Sequence, residues 1–290
     1  MPDVDVSLMK TALSAVERRL HTRRSGGTAS FAPAKAAFQS GMASHARARG
    51  LLTVKPDRPF APGFVTLKAP FLIWALRDAT EASQILVDSH IEPMNSWARI
   101  SFRDEGTISA DQRVNFYFLW RNDVGADVVV DVSTYLMLNG FCEVHASHGW
   151  IWTPFWGAST IGQCDMTVNA ELTVLEWWNE PPTEPLREPG QLQEVVTLSA
   201  NGGWGFASAG QTRSEFVSNN FHLYYDTFAI PRDSVALFEV SLVANYVGYK
   251  GMVSVDFASY DGAMILCPSV ELAVVNPLPG GLTVVDGGMT

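Results

Sequence analysis

From about residue 60 onward, apolar side chains return every second position. In 126–138 the even positions Val128, Val130, Val132, Thr134, Leu136 and Leu138 are apolar or β-branched, and Asp127, Asp131 and Ser133 stand between them. A period of two places alternate side chains on opposite faces, so the pattern predicts a strand with one face buried. Met166, Val168, Ala170, Leu172 and Val174 repeat it, as do Ala236, Phe238, Val240 and Leu242, then Val253, Val255 and Phe257, and finally Val270, Leu272 and Val274. Shorter runs at 64–68, 71–75, 84–88, 97–102, 114–120, 194–198 and 221–229 add further strands, separated by Gly, Pro, Asn and Asp. About a dozen strands with almost no helical period predict an all-β body, an antiparallel β-sandwich or jelly roll.

The first 58 residues follow another rhythm. Val6, Met9, Leu13, Val16 and Leu20 are spaced 3-4-3-4, which on a helix gives one narrow apolar seam. Asp5 or Ser7 is placed to cap its start. Arg18, Arg19, Arg23 and Arg24 fall at its end, where positive charge suits the helix dipole, and Ser25-Gly26-Gly27 stops it. A helix this short is marginal alone, so the seam is expected to dock on the body, on another copy or on a partner. Residues 25–58, rich in Ala, Ser, Gly and Arg and including Arg47 and Arg49, read as a flexible arm.

Charge sharpens this division. The 290 residues carry a net charge of −10, yet residues 1–58 hold ten basic and four acidic side chains, +6, which leaves −16 for the rest. A basic leader on an acidic body marks either a partner-binding tail or a solvated one. The leader has no secretory apolar core, and Asp3, Asp5 and Glu17 argue against a mitochondrial presequence, so the expected location is cytoplasmic or within an assembled particle. No apolar run approaches the roughly 20 residues of a membrane-spanning helix. Three cysteines do not make a disulfide scaffold.

Two segments, GFCEVHAS at 140–147 and GMVSVDFAS at 251–259, resemble each other. With the proline-rich stretch 179–190 as a boundary or long loop, they suggest a division into 1–58 (arm with short helix), 59–180 and 190–278 (two tandem jelly-roll-like sandwiches) and 279–290 (tail). One large jelly roll over 59–278 is the alternative.

Candidate chemistry is sparse. No nucleophile elbow, phosphate-binding loop, dinucleotide fingerprint or HExxH is present. Around Cys142, Glu143, His145 and His148, strand parity turns Cys142 away from His145, and a structural zinc site would want four ligands, so no metal and no cofactor is expected. Cys142 falls on an apolar face and reads as a core residue, while Cys164 and Cys267 open strands. Glu171 and Glu176 read as solvent-facing acids.

The sharpest local feature is aromatic: GWIWTPFWG at 149–157, with Trp150, Trp152 and Trp156, and with Trp177-Trp178 expected to lie near them in space. Such residues fill a core, anchor an interface or stack on sugar rings. In layout, a basic arm ahead of an all-β body, the chain is similar to the jelly-roll coat proteins of small viruses, and the similarity covers layout alone. It implies a non-enzymatic, self-assembling subunit, shell-, capsid- or appendage-like. Residues 10–58, with Arg18, Arg19, Arg23, Arg24, Arg47 and Arg49, would then contact other subunits or nucleic acid, and a homo-oligomer is expected. The alternatives are a carbohydrate-binding β-sandwich using its Trp-rich loop, and an enzyme with an unrecognised site.

Overall fold

A computed structural model of the chain describes residues 63–77, 80–81, 85–122, 127–148, 161–177, 186–203, 210–230 and 235–275. The predicted helix, its seam and the arm lie outside these residues. Among the described residues the fold is all-β, with twelve strands and no helix. They are β1 (Gly63–Leu67), β2 (Leu72–Arg77), β3 (Thr80–Glu81), β4 (Leu86–His90), β5 (Trp97–Arg121), β6 (Val128–Ala146), β7 (Gln163–Trp177), β8 (Leu186–Asn201), β9 (Gln211–Ile230), β10 (Val235–Asp256), β11 (Met264–Leu266) and β12 (Val270–Val275).

All twelve strands belong to one antiparallel sheet. Its organising strands are the long ones. β5 pairs with β10 over almost its whole length, and β10 pairs on its other edge first with β7 (235–249) and then with β6 (251–256). β6 in turn pairs with β9 along one edge and, along the other, successively with β12, β11 and the end of β10. β8 pairs with β7. The sheet closes into a barrel where β8 meets β9, and glutamine side chains make that join. Gln193 Nε2 donates to the carbonyl of His222 at 2.7 Å, and Gln191 Oε1 accepts from the amide of Tyr224 at 3.0 Å. Backbone groups that a sheet edge leaves unpaired are thereby occupied.

Alternation produces the core. In β6 every even position from Val128 to Ala146 is buried, and the odd positions are partly or fully exposed. The inward residues of β2, β5, β6, β7, β9, β10 and β12 form one continuous cluster, including Phe116, Phe118, Leu136, Val168, Phe238 and Phe257. Gly140 sits on that inward face because a Cβ there would lie 2.1 Å from the Phe257 ring.

Several expected breaks prove to be continuous strand. The apolar runs at 236–242 and 253–257 belong to the single strand β10, apart from Phe257 just beyond its end, although their inward positions change from even to odd. A β-bulge accounts for the change: two residues, Tyr249 and Lys250, stand where β5 offers one, and Lys250 adopts a φ of 47°. One extra residue exchanges the faces of everything beyond it. Likewise 97–102 and 114–120 are one strand, β5. The polar stretch between them stays extended because β10 pairs with it throughout. The run expected at 84–88 is shifted, with β4 starting at Leu86. The proline-rich stretch, read as a boundary or loop, ends in strand: β8 begins at Leu186 and carries Pro189, tolerated because β8 has a backbone ladder with β7 alone. The two similar segments are ladder partners in this one sheet, with Gly251 opposite Ala146 and Asp256 opposite Phe141.

Candidate functional site

The outward face of β6 and β9 carries the most unusual exposed chemistry among the described residues. By register, the outward pairs are Ser133/Tyr224, Tyr135/His222, Met137/Asn220, Asn139/Ser218, Phe141/Phe216, Glu143/Ser214 and His145/Thr212. Tyr135 and His222 are direct cross-strand neighbours, and their rings stack with centroids 4.7 Å apart and planes at 23°. Tyr224 lies beside His222, with ring centroids 5.9 Å apart and planes tilted by 39°. Ser133 Oγ lies 2.8 Å from His222 Nε2 and holds the imidazole in place. Six residues along β6, about 20 Å at the usual strand rise, a second group forms around Phe216, which packs on Tyr260 at 5.9 Å. Asn139 anchors the turn bearing Tyr260 by donating to the carbonyl of Gly262 at 2.8 Å. At the far end His145 Nδ1 lies 2.9 Å from Thr212 Oγ1.

These aromatic groups stand well out of the surface: Tyr135 is 44% exposed and Phe216 57%. Their backing is firm, since Leu136, Leu138, Phe221 and Leu223 face the core beneath them. A second bulge shapes the upper end. Asp226 and Thr227 of β9 oppose Asp131 alone, Thr227 takes a φ of 64°, and Asp131 Oδ1 accepts the Thr227 amide at 2.8 Å. Asp131 thus stabilises the bulge that follows Tyr224 and Tyr225.

The residues singled out from sequence fare differently. Cys142 and His145 do point to opposite faces, Cys142 into the core. The three thiols are all buried and free. Burial pushes Cys142 and Cys267 up to about 12, and Cys164 is also raised by burial, so these sulfurs are held neutral. Cys267 follows β11 and does not open a strand, with its Sγ 3.8 Å from Thr134 Oγ1. Glu171 lies on β7 and is only partly buried. Among the described residues no three His, Cys, Asp or Glu side chains converge as a metal site would require. No helix among them is long and apolar enough to cross a membrane.

Trp150, Trp152, Trp156 and Trp178 lie outside the described residues. So do Arg18, Arg19, Arg23, Arg24, Arg47 and Arg49, and the seam Val6, Met9, Leu13, Val16 and Leu20. The backbone of Trp177 ends β7, opposite Val235. The flanks of the Trp-rich segment are described and lie together: Gly162 donates its amide to the carbonyl of Ser147 at 2.9 Å, Ser147 donates to Lys250 at 3.0 Å, and Gly202 donates to Gly162 at 2.9 Å. Gly202 is required there, since a Cβ would fall 1.9 Å from the Ser147 oxygen. Sequence reasoning missed Tyr135, His222, Tyr224 and Phe216. The available signal was Tyr135, a large aromatic on the parity that β6 gives to water.

No protein-family model matches the chain, and no curated protein matches it. Among solved structures it is similar to a chain of infectious bursal disease virus, Gx strain, at 8% identity with a TM-score of 0.15, covering 78% of this chain and 63% of that one. It is similar also to a chain of the Gt strain, at 9% identity with a TM-score of 0.14, covering 79% of this chain and 47% of that one. The chain thus spans less than two thirds of either viral chain, and scores this low carry no argument about fold or function.

Proposed function

We propose that the chain is a non-enzymatic structural subunit that associates with further copies of itself. The observation that carries this reading is the outward face of β6 and β9, where Tyr135, Tyr224 and Phe216 stand exposed on rigid strands. Clustered exposed aromatics mark contact surfaces, and tyrosine brings a large, low-entropy contact area with a polar tip. A second copy is the favoured occupant because the chain is electrostatically two-sided: +6 over residues 1–58 against −16 over the rest. A basic arm of one copy complements the acidic body of another, and such complementarity speeds and orients encounter. Nucleic-acid contact through residues 10–58 is a narrower form of the same reading. It carries its own signature, an affinity for single- or double-stranded probes that falls steeply with salt.

Sedimentation velocity and negative-stain imaging of the full chain test this. Expected are oligomers or particles that a Tyr135→Ser/Tyr224→Ser/Phe216→Ser variant converts to monomer without change in its circular dichroism. A full chain that stays monomeric at tens of micromolar overturns the reading, as does a triple variant that assembles unchanged. The stacked Tyr135–His222 pair beside Asn220 and Ser133 favours a second reading, a sugar platform. Glycan-array binding lost in Tyr135→Ala is the result that would select it.

A further inference from the structure

A second outward face behaves in the opposite way. Across β2, β5, β10 and β7, strand parity turns one set of side chains away from the main core. By register, Leu72 lies beside Tyr117, Glu239 and Thr173; Trp74 lies beside Asn115, Ser241 and Glu171; and Leu76 lies beside Arg113, Val243 and Asn169. Almost all of these are buried: Leu76, Asn115, Tyr117, Glu239 and Ser241 are 0% exposed and Trp74 is 5%. They include a small apolar cluster of Leu72, Trp74, Leu76, Tyr117, Leu175 and Leu237, whose described members all come from one layer of strands. A packed cluster needs a second layer.

Beside the apolar patch lies charge. Arg113 approaches Glu239 at 3.8 Å and Asp111 at 3.5 Å, and its side chain is almost wholly out of water. Ser241 Oγ lies 3.5 Å from Glu239, and Asn115 Nδ2 donates to Tyr117 Oη at 2.7 Å. Trp74, Asp111, Arg113, Tyr117 and Glu239 each take part in a further contact as well. With Glu171 at the margin, acids outnumber bases on this face.

We infer that this face is the seat of the chain's own N-terminal seam, Val6, Met9, Leu13, Val16 and Leu20. The reason for an intramolecular occupant is that the face is already buried in the single chain. The candidate must be apolar along one side and cationic at one end, and the seam is both, with Arg18, Arg19, Arg23 and Arg24 at its end. Dimensions agree. A helix over residues 6–20 is about 22 Å long, and the face runs about 20 Å from Leu119 to Arg113 along β5. The leader enters at Gly63, the start of β1, nine residues before Leu72 opens β2, which forms one border of the face. Residues 21–62 are ample tether, with a coil span of about 36 Å. This inference does not use the aromatic face; it assigns Arg18, Arg19, Arg23 and Arg24 to the chain's own body and leaves Lys35, Arg47, Arg49, Lys55 and Arg58 for contact with another copy.

The test uses the full chain with a benzophenone amino acid at position 13. Illumination is expected to yield cross-links within one chain to peptides containing 72–77 or 113–119, with a yield unchanged by dilution. In parallel, a Val243→Cys thiol is expected to resist maleimide in the full chain. It should react at least tenfold faster when Leu13→Glu and Val16→Glu are added. Cross-links to other parts of the body, or none, overturn the inference. Cross-links formed only between two chains also overturn it and assign the seat to a second copy. Labelling that the seam substitutions leave unchanged in a folded protein counts equally against it. Should the seam variants fail to fold, the cross-linking result decides alone.

Discussion

Two outward faces of the same sheet have opposite fates. On β6 and β9 the residues turned from the core include exposed aromatics among polar side chains; on β2, β5, β10 and β7 an apolar cluster lies beside polar and charged groups, and almost all are buried. Parity treats them alike, since each is simply the side away from the main cluster. What separates them is whether something lies on top. The wet face keeps its histidine in a ring stack with a serine contact. The covered face must keep its charges together, because a lone buried carboxylate or guanidinium is far costlier than a paired one. An exposed aromatic face and a buried ionic face are therefore two readouts of one variable, coverage.

At neutral pH, breaking the buried charge pair is the largest expected perturbation. Glu239→Leu leaves Arg113 buried beside a lost partner and should cost about 3–5 kcal/mol. Arg113→Met/Glu239→Leu together should recover only part of that loss, because the two apolar replacements need no counter-charge but Asp111, 3.5 Å from Arg113, loses its guanidinium. Urea denaturation of both variants measures it, and equal losses in the single and double variants would show that the face is not as dry as described. A second effect, confined to high pH, is expected beneath the aromatic face. Cys142 and Cys267 have folded-state values of about 12 against 9.0 for an unperturbed thiol. The folded state therefore holds its protons longer than the unfolded chain, so stability is intact below pH 9 and declines between about pH 9 and 12. Tyr246, pushed above the ordinary phenol range by burial and by its hydrogen bond to Asp104, acts in the same direction. Urea midpoints from pH 8 to 11.5 should fall, and Cys142→Ala/Cys267→Ala should flatten that decline; an identical slope in the variant refutes the assignment. Smallest of all, Tyr135→Ala should change stability by less than about 1 kcal/mol, the range of a cross-strand pair, while weakening self-association. A loss of several kcal/mol in thermal or urea melts would mean that Tyr135 supports the fold and is not kept for contact.

Much of the fold was legible because a strand's period is two and the core is on one side. Val128 to Leu138 announced β6 without ambiguity, and the inward role of Cys142 followed from the same parity. The change from Phe238 and Val240 to Val253 and Val255 was legible too, but only as two strands. A bulge at Tyr249 and Lys250 leaves no compositional mark beyond its flanking glycines, and Arg103 to Asp111 looks like a loop until β10 is seen beside it. Pro189 looked like a boundary because the edge position that tolerates it is a property of the sheet. The aromatic face was half legible. Tyr135 stood on the wet parity of its strand, but its contact His222, and Tyr224 beside that, are nearly ninety residues away, and sequence distance says nothing about register.

By itself, then, the order of residues determined the strand class, the inward set of each strand and the charge division between leader and body, because all three are local or additive. Only the tertiary structure decided that 140–147 and 251–256 are neighbours, that β8 meets β9 through glutamine side chains, and that one outward face is wet while another is dry. Those depend on which strands pair and what covers them, and pairing is a long-range choice made by burial of the whole sheet at once.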